Sequence, residues 1–274
     1  MKKKIIFRDQ DIVAFCKATC DTNDIHDPVF MTKLGKRAIV PGMFAFSMAA
    51  NLASSYLKHE GNTIRVFFST LLSSGDFATL MAEPETDTDT PSIRISAINH
   101  KDTLTTNDEH TRIFHTDHPL PVQNHGILRR LQVADHQVKL FQTLIAADDP
   151  EVSGYLFTIS YASQALFKSI REAETKVEHE IDELINRHRK ISPFYQSLEI
   201  TIPRPIPALI LNHYLDYRIS FEREKYHKAY YAYMQCEQND TVFFRSKYRL
   251  IAISDGIILR MAKDITHHPA VHRA

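Results

Sequence analysis

The stretch that decides the fold is residues 40–58, VPGMFAFSMAANLASSYLK, which is rich in alanine and apolar on nearly every side. A helix with so little polar surface has to be covered over most of its length by other parts of the chain. The pattern predicts a helix from Met43 to about Lys58. Residues 63–82 and 92–115 are rich in strand-forming residues, so we expect them to supply a sheet around that helix.

The same pattern recurs in the second half of the chain. Residues 152–167, VSGYLFTISYASQALF, resemble residues 40–55. Residues 135–147 align with residues 9–21 without a gap. Two copies of one fold are therefore predicted, each with a long helix in a curved antiparallel sheet.

The boundary between the copies is predicted in the segment 115–126, HTDHPLPVQNHG, which carries two prolines and three irregularly spaced histidines. That composition favours a linker over a metal site. We predict an N-terminal domain at residues 1–126 and a degenerate C-terminal domain at residues 127–274. Ala147 aligns with Asp21, and the loop after it shrinks to Asp148-Asp149-Pro150 with no counterpart of His26, so only the first copy keeps the longer polar loop.

That polar loop begins the segment Asp21–Met43, DTNDIHDPVFMTKLGKRAIVPGM, and brings an acid, an amide and an imidazole (Asp21, Asn23, His26) close together in the sequence. A histidine titrates near neutral pH, and a carboxylate in a partly buried loop can be tuned towards it, so the pair can share proton transfer. A lone histidine in a loop is also common as a solvated or capping residue. The surrounding sequence therefore has to distinguish a catalytic His26 from a solvated or capping one.

The context resembles the MaoC-like hydratase and dehydratase family of hotdog proteins, whose motif reads DxNPxHxD, followed by a helix opened by Gly-Met and a strand with a Gly-Asp turn. Asp21, Asn23 and His26 match in order and spacing. The chain departs from the motif at Asp24, which replaces proline, and at Asp27, which comes one place early. The likeness covers about the first 110 residues.

This resemblance implies an α+β double hotdog fold and an R-specific enoyl thioester hydratase, or 3-hydroxyacyl thioester dehydratase. Asp21 and His26 would form the catalytic dyad. Asn23, Gly42 and Met43 would bind the substrate. The amide of Asn23 can both donate and accept hydrogen bonds, which suits it to fixing the loop or the substrate hydroxyl. Gly42 and Met43 lie at a helix start, where backbone N–H groups favour the negative charge that develops on a thioester oxygen. A hotdog thioesterase and a non-catalytic acyl-binding or interaction protein stay open as alternatives.

A short basic cluster, Lys33, Lys36 and Arg37, follows the loop. It could contact the phosphate of a phosphopantetheine arm on coenzyme A or on an acyl carrier protein, although such clusters are often only solvated. The expected partner is therefore an acyl-CoA or acyl carrier protein substrate.

Composition narrows the remaining function classes. The 33 basic and 33 acidic side chains balance, so neither nucleic acid nor a membrane surface is an expected partner. Three cysteines do not suggest a disulfide framework and suit a reducing cytoplasm. Neither a metal nor another cofactor is expected, and a homodimer of double hotdog chains is left open.

Two features of the C-terminal half complete the predictions. Residues 174–189 have apolar residues at helical spacing and predict an added amphipathic helix. Asp255-Gly256 predicts a hairpin turn, with the following IILRMAKDI continuing as a strand.

Overall fold

A computed structural model gives the structure of the protein, and it describes residues 1–68, 71–85, 92–99, 111–117, 119–121, 126–171, 191–224 and 229–265. The predicted helix at residues 174–189 lies outside the described residues.

The first half begins with a strand and then runs through its helices before it forms the rest of its sheet. Its elements are β1 (Lys2–Ile6), α1 (Asp9–Thr19), a 3₁₀ helix (Asp24–His26), α2 (Pro28–Lys33), α3 (Gly42–Asn51), α4 (Ser54–His59), β2 (Thr63–Phe67), β3 (Phe77–Glu85), β4 (Ser92–Asn99) and β5 (Arg112–Phe114).

The second half follows the same order of strand, helices and strands. Its elements are β6 (Ile127–Gln132), α5 (Asp135–Ile145), α6 (Pro150–Arg171), β7 (Ile191–Thr201), β8 (Tyr214–Arg223), β9 (Ala229–Gln238), β10 (Thr241–Ser254) and α7 (Asp255–Met261).

All ten strands form one sheet in the order β1-β3-β4-β5-β2-β7-β10-β9-β8-β6, and every pairing is antiparallel. The order is a mirror image about the β2–β7 pair, where Ile64 lies opposite Ile200 and Val66 opposite Leu198. These four side chains are buried, so the joint between the halves is part of the core. The predicted double hotdog fold is confirmed, and the two halves share one continuous sheet.

The gap-free alignment of residues 9–21 with 135–147 holds at the level of single hydrogen bonds. Both α1 and α5 end on a residue in the left-handed region, Cys20 with φ 54° and Ala146 with φ 51°. The next N–H in each copy, from Asp21 and from Ala147, then bonds back to a carbonyl of the last helical turn at 3.0 Å. This is a common way to end a helix and reverse the chain. Asp21 and Ala147 therefore occupy equivalent positions.

The helices of the two halves pack together through a run of aromatic rings. Phe15 stacks on Phe44 with centroids 4.7 Å apart, Phe141 lies 5.9 Å from Phe15, and Phe157 lies 5.6 Å from Phe141. All four rings are buried. Burial of four large rings between α1, α3, α5 and α6 supplies much of the apolar contact that joins the halves.

Two helix predictions need correction. The predicted helix from Met43 to Lys58 is interrupted: α3 ends at Asn51 and α4 begins at Ser54. The predicted hairpin at Asp255-Gly256 is wrong, because residues 255–261 form α7. Ile258 and Ala262, four residues apart, are both buried against the first half, and this tertiary packing favours a helix over a strand.

No helix among the described residues combines the length and apolar character that crossing a membrane requires. The division into domains at residues 126 and 127 stays a prediction.

Candidate active site

The polar loop after α1 is built from side chains that bond to their own backbone. Asp21 Oδ1 accepts a hydrogen bond from the Asn23 N–H at 3.0 Å, and Asn23 Oδ1 accepts one from the Ile25 N–H at 3.4 Å. Asp27 caps α2 by accepting from the Val29 N–H at 2.8 Å. Short acids and amides favour such turns. They leave Asp21 with one carboxylate oxygen, Oδ2, directed elsewhere.

Asp21 Oδ2 lies 3.8 Å from Nε2 of His26. The two side chains are only 15% and 11% exposed, so both are largely withdrawn from solvent. The separation is too long for a direct hydrogen bond. It is shorter than the roughly 4.5 Å between two acceptors that bond to the same water at about 2.8 Å each, so sharing one water or hydroxyl oxygen would require the two side chains to move apart by roughly 0.7 Å.

The orientation of His26 is set by its other ring nitrogen. Nδ1 lies 2.7 Å from the carbonyl oxygen of Ile39. A carbonyl only accepts, so Nδ1 carries the hydrogen and, in the neutral ring, Nε2 has the lone pair. The lone pair therefore faces Asp21, and both groups of the pair can accept a proton from whatever lies between them.

The three residues predicted to bind substrate have different surroundings. Asn23 acts within the loop as the cap of the 3₁₀ helix. Gly42 and Met43 are the first two residues of α3, which has no side-chain N-cap. N–H groups in a first helical turn have no acceptor within the helix. The Met43 side chain is buried in the core, so only its backbone could face a ligand.

Gly42 packs against an aromatic ring that was not singled out from the sequence. A Cβ at Gly42 would lie 2.7 Å from Cδ1 of Phe68. The Phe68 ring therefore already requires a glycine at this position, whether or not a ligand also approaches the backbone there. Phe68 is half-buried and directly follows β2.

Tyr195, from β7 of the second half, is a further aromatic residue at this site that sequence reasoning missed. Its ring centroid lies 6.3 Å from that of Phe68. Burial raises the pKa of the Tyr195 hydroxyl well above its usual value, the Tyr248 hydroxyl and the Asp21 carboxylate add to the rise, and the Ser163 hydroxyl opposes it. Tyr195 therefore brings an aromatic side chain of the second half next to Phe68, the ring that packs on Gly42.

The basic cluster is held largely by ion pairs. Lys36 Nζ lies 2.7 Å from Asp264, and Arg37 is paired with Asp76, whereas Lys33 is exposed at the end of α2. Lys36 and Arg37 also line an open pocket of about 450 Å³, together with Arg8, Ser74 and other residues. That volume is within the range of small-molecule sites.

Asp76, in the predicted Gly75-Asp76 turn, anchors this region. Its side chain is 7% exposed and pairs with both Arg37 and Lys263. Burial alone would raise the pKa of the carboxyl. Hydrogen bonds from Lys263, from the Ser73 N–H and from Arg37 outweigh burial and hold the pKa below its ordinary value.

Among the described residues, no three His, Cys, Asp or Glu side chains are grouped so that they could hold a metal ion.

The fold defines the chain as a double hotdog protein. Among solved structures it is similar to a MaoC-like dehydratase, with 9% identity, a TM-score of 0.53, and coverage of 91% of this chain and 97% of that one. It is also similar to a Mycobacterium tuberculosis protein described as a double hotdog, with 8% identity, a TM-score of 0.52 and coverage of 92% and 94%.

A third similar structure is the full-length peroxisomal multifunctional enzyme type 2 of Drosophila melanogaster, with 8% identity and a TM-score of 0.53. The match covers 91% of this chain and 48% of that enzyme, so the chain spans about half of it. No protein-family model and no curated protein sequence matches the chain. The chain thus has the double hotdog fold of the MaoC-like dehydratases.

Proposed function

We propose that the protein catalyses the reversible hydration of a trans-2-enoyl thioester to a (3R)-hydroxyacyl thioester. The observation that carries the proposal is the separation of 3.8 Å between Asp21 Oδ2 and His26 Nε2, with the imidazole oriented by the Ile39 carbonyl. General-base activation of a water requires one positioned proton acceptor, and a second acceptor beside it can orient the water.

In the hydration direction, a water donates its two hydrogen bonds to Asp21 and to Nε2 of His26. One of the two groups removes a proton as the water oxygen attacks the β-carbon of the enoyl thioester. The proton is then delivered to the α-carbon, so one water is added across the double bond. Dehydration runs the same steps in reverse, and the dyad exchanges its acid and base roles.

The negative charge that develops on the thioester oxygen needs hydrogen-bond donors. The N–H groups of Gly42 and Met43, at the start of α3, are suited to this because the positive end of the helix dipole points the same way. Phe68 would have to turn aside or lie along the acyl group for a thioester to reach them, since its ring now packs on Gly42.

The carrier of the acyl group is proposed to be coenzyme A or an acyl carrier protein, with Lys33, Lys36 and Arg37 near its phosphate. Lys33 gives the cleanest test because it is exposed, whereas Lys36 and Arg37 also hold structural ion pairs. Lys33→Ala is expected to raise KM for a CoA thioester and to leave an N-acetylcysteamine thioester, which has no phosphate, unchanged. An equal effect on both thioesters would remove Lys33 from phosphate binding.

The proposed reaction is tested by incubating the protein with trans-2-enoyl thioesters of several chain lengths on both carriers. Hydration without thiol release supports the proposal. Release of free thiol indicates a hotdog thioesterase, and binding without turnover indicates an acyl-binding protein.

The asymmetry of the two halves implies one active site per chain. Ala147 occupies the position equivalent to Asp21, and an alanine cannot accept a proton. The second half then serves to complete the site, for example through Tyr195. We further propose that residues 1–126 and 127–274 form the two domains and that such chains form a homodimer.

A further inference from the structure

The last helix among the described residues, α7, crosses from the second half to the first and packs behind the dyad. Ile258 of α7 and Ala262, the residue that follows α7, form a small buried cluster with Met31 and Ile39, and this cluster is separate from the main core. Ile258 and Ile39 are each 1% exposed. The neighbouring Ile257 of the same helix is 42% exposed and faces away.

The segment after α7 is bonded to the chain just before Ile39. The Arg37 N–H donates to the Lys263 carbonyl at 2.9 Å, and the Ile265 N–H donates to the Gly35 carbonyl at 3.1 Å. Two ion pairs add to these bonds, Lys36 with Asp264 at 2.7 Å and Lys263 with Asp76 at 2.8 Å. Residues 35–37 are thus held by backbone bonds and charge pairs from this C-terminal segment, and Ile39 by its apolar packing. Residues 38–40 are in addition bonded to the first half, because the Val40 N–H donates to the Leu72 carbonyl and the Ser74 N–H donates to the Ala38 carbonyl, each at 2.8 Å.

Ile39, which packs against α7, is itself hydrogen-bonded to the imidazole of His26. The Ile39 N–H donates to the Ile25 carbonyl at 2.9 Å, and the Ile39 carbonyl accepts from His26 Nδ1 at 2.7 Å. Movement of Ile39 would therefore move the one acceptor that selects the tautomer and the direction of His26.

We propose that α7 and residues 262–265 form a positioning element that fixes the Ile39 carbonyl and thereby keeps Nε2 of His26 directed at Asp21. Ile258 is its central positioning residue. The expected effect on turnover rests on the proposed function, whereas the expected effect on the imidazole does not.

The chain offers a matched pair of variants for the test. Ile258→Ala removes the side chain that packs in the cluster, and Ile257→Ala removes the same side chain at the adjacent exposed position. In the wild type and in Ile257→Ala, nitrogen NMR at a pH where His26 is neutral is expected to show only the Nδ1-protonated tautomer. In Ile258→Ala a mixture of both tautomers is expected.

Turnover is the second readout. Ile258→Ala is expected to lower kcat on the order of tenfold with KM changed less than about twofold, because misplaced catalytic groups lose rate more than binding. Ile258→Val keeps most of the packing and is expected to show a kcat between those of the wild type and Ile258→Ala. If Ile258→Ala does not fold, the kcat and the tautomers of Ile258→Val test the proposal.

A single tautomer and wild-type kcat in the folded Ile258 variants would overturn the proposal, as would equal damage in Ile257→Ala. If the wild type hydrates no thioester but the tautomer mixture appears only in the Ile258 variants, the proposed function fails and the positioning element stands.

Discussion

Removing the two dyad residues one at a time is expected to abolish most turnover while the fold survives. Asp21→Asn keeps an Oδ1 that can still accept from the Asn23 N–H, so the loop loses little. His26→Ala gives up one hydrogen bond to the Ile39 carbonyl, which costs about 1 kcal/mol of stability. Each change should lower kcat at least about a hundredfold, or about 2.7 kcal/mol in activation free energy.

The double variant separates a shared role from two independent ones. If both side chains bond to one water, losing either of them already removes most of the rate gained from that water. The double variant should then be about as slow as the worse single variant. Two independent roles would instead multiply the losses, to on the order of ten-thousandfold.

The control is Asp148→Asn, an exposed aspartate in the equivalent loop of the second half. It should leave kcat unchanged. The assay is the disappearance of the enoyl thioester absorbance, with the melting temperature of every variant measured alongside. Near-wild-type kcat in either single dyad variant, at an unchanged melting temperature, would refute the proposed role of the pair.

Three other outcomes are expected. Stability should fall as the pH drops below about 3.9, the ordinary pKa of an aspartate carboxyl. The lowered pKa of Asp76 means that its ionised form stabilises the fold above that pH, and this contribution to the free energy of unfolding is lost as the carboxyl of the folded protein takes up a proton. Asp76→Asn should flatten this part of the curve of melting temperature against pH. Phe141→Ala should lower the free energy of unfolding by about 3–5 kcal/mol in a denaturant titration, against a smaller loss for the half-buried Leu140→Ala. A tight, slowly released substrate analogue should saturate at about one equivalent per chain, and two equal sites would contradict the role assigned to Ala147.

By itself the sequence determined the features that depend on neighbouring residues. The apolar pattern of residues 40–58 and its second copy predicted two copies of one fold, because helical periodicity and repeats are visible within short windows. The resemblance of the first half to the MaoC-like family then implied the double hotdog fold, which the ten-stranded sheet confirms. The loop from Asp21 to His26 was equally visible, since its Asx-type bonds join residues two apart.

Only the tertiary structure decided which distant groups surround that loop. Three features depend on partners that are distant in the sequence. They are the helical state of residues 255–261, the packing of the Phe68 ring on Gly42, and the position of Tyr195 next to Phe68. Lys36 resembled a solvated or phosphate-binding lysine until the fold brought Asp264 to within 2.7 Å of it. The conformational preferences of neighbouring residues do not predict such contacts, because the contact energies arise only when the two halves pack together.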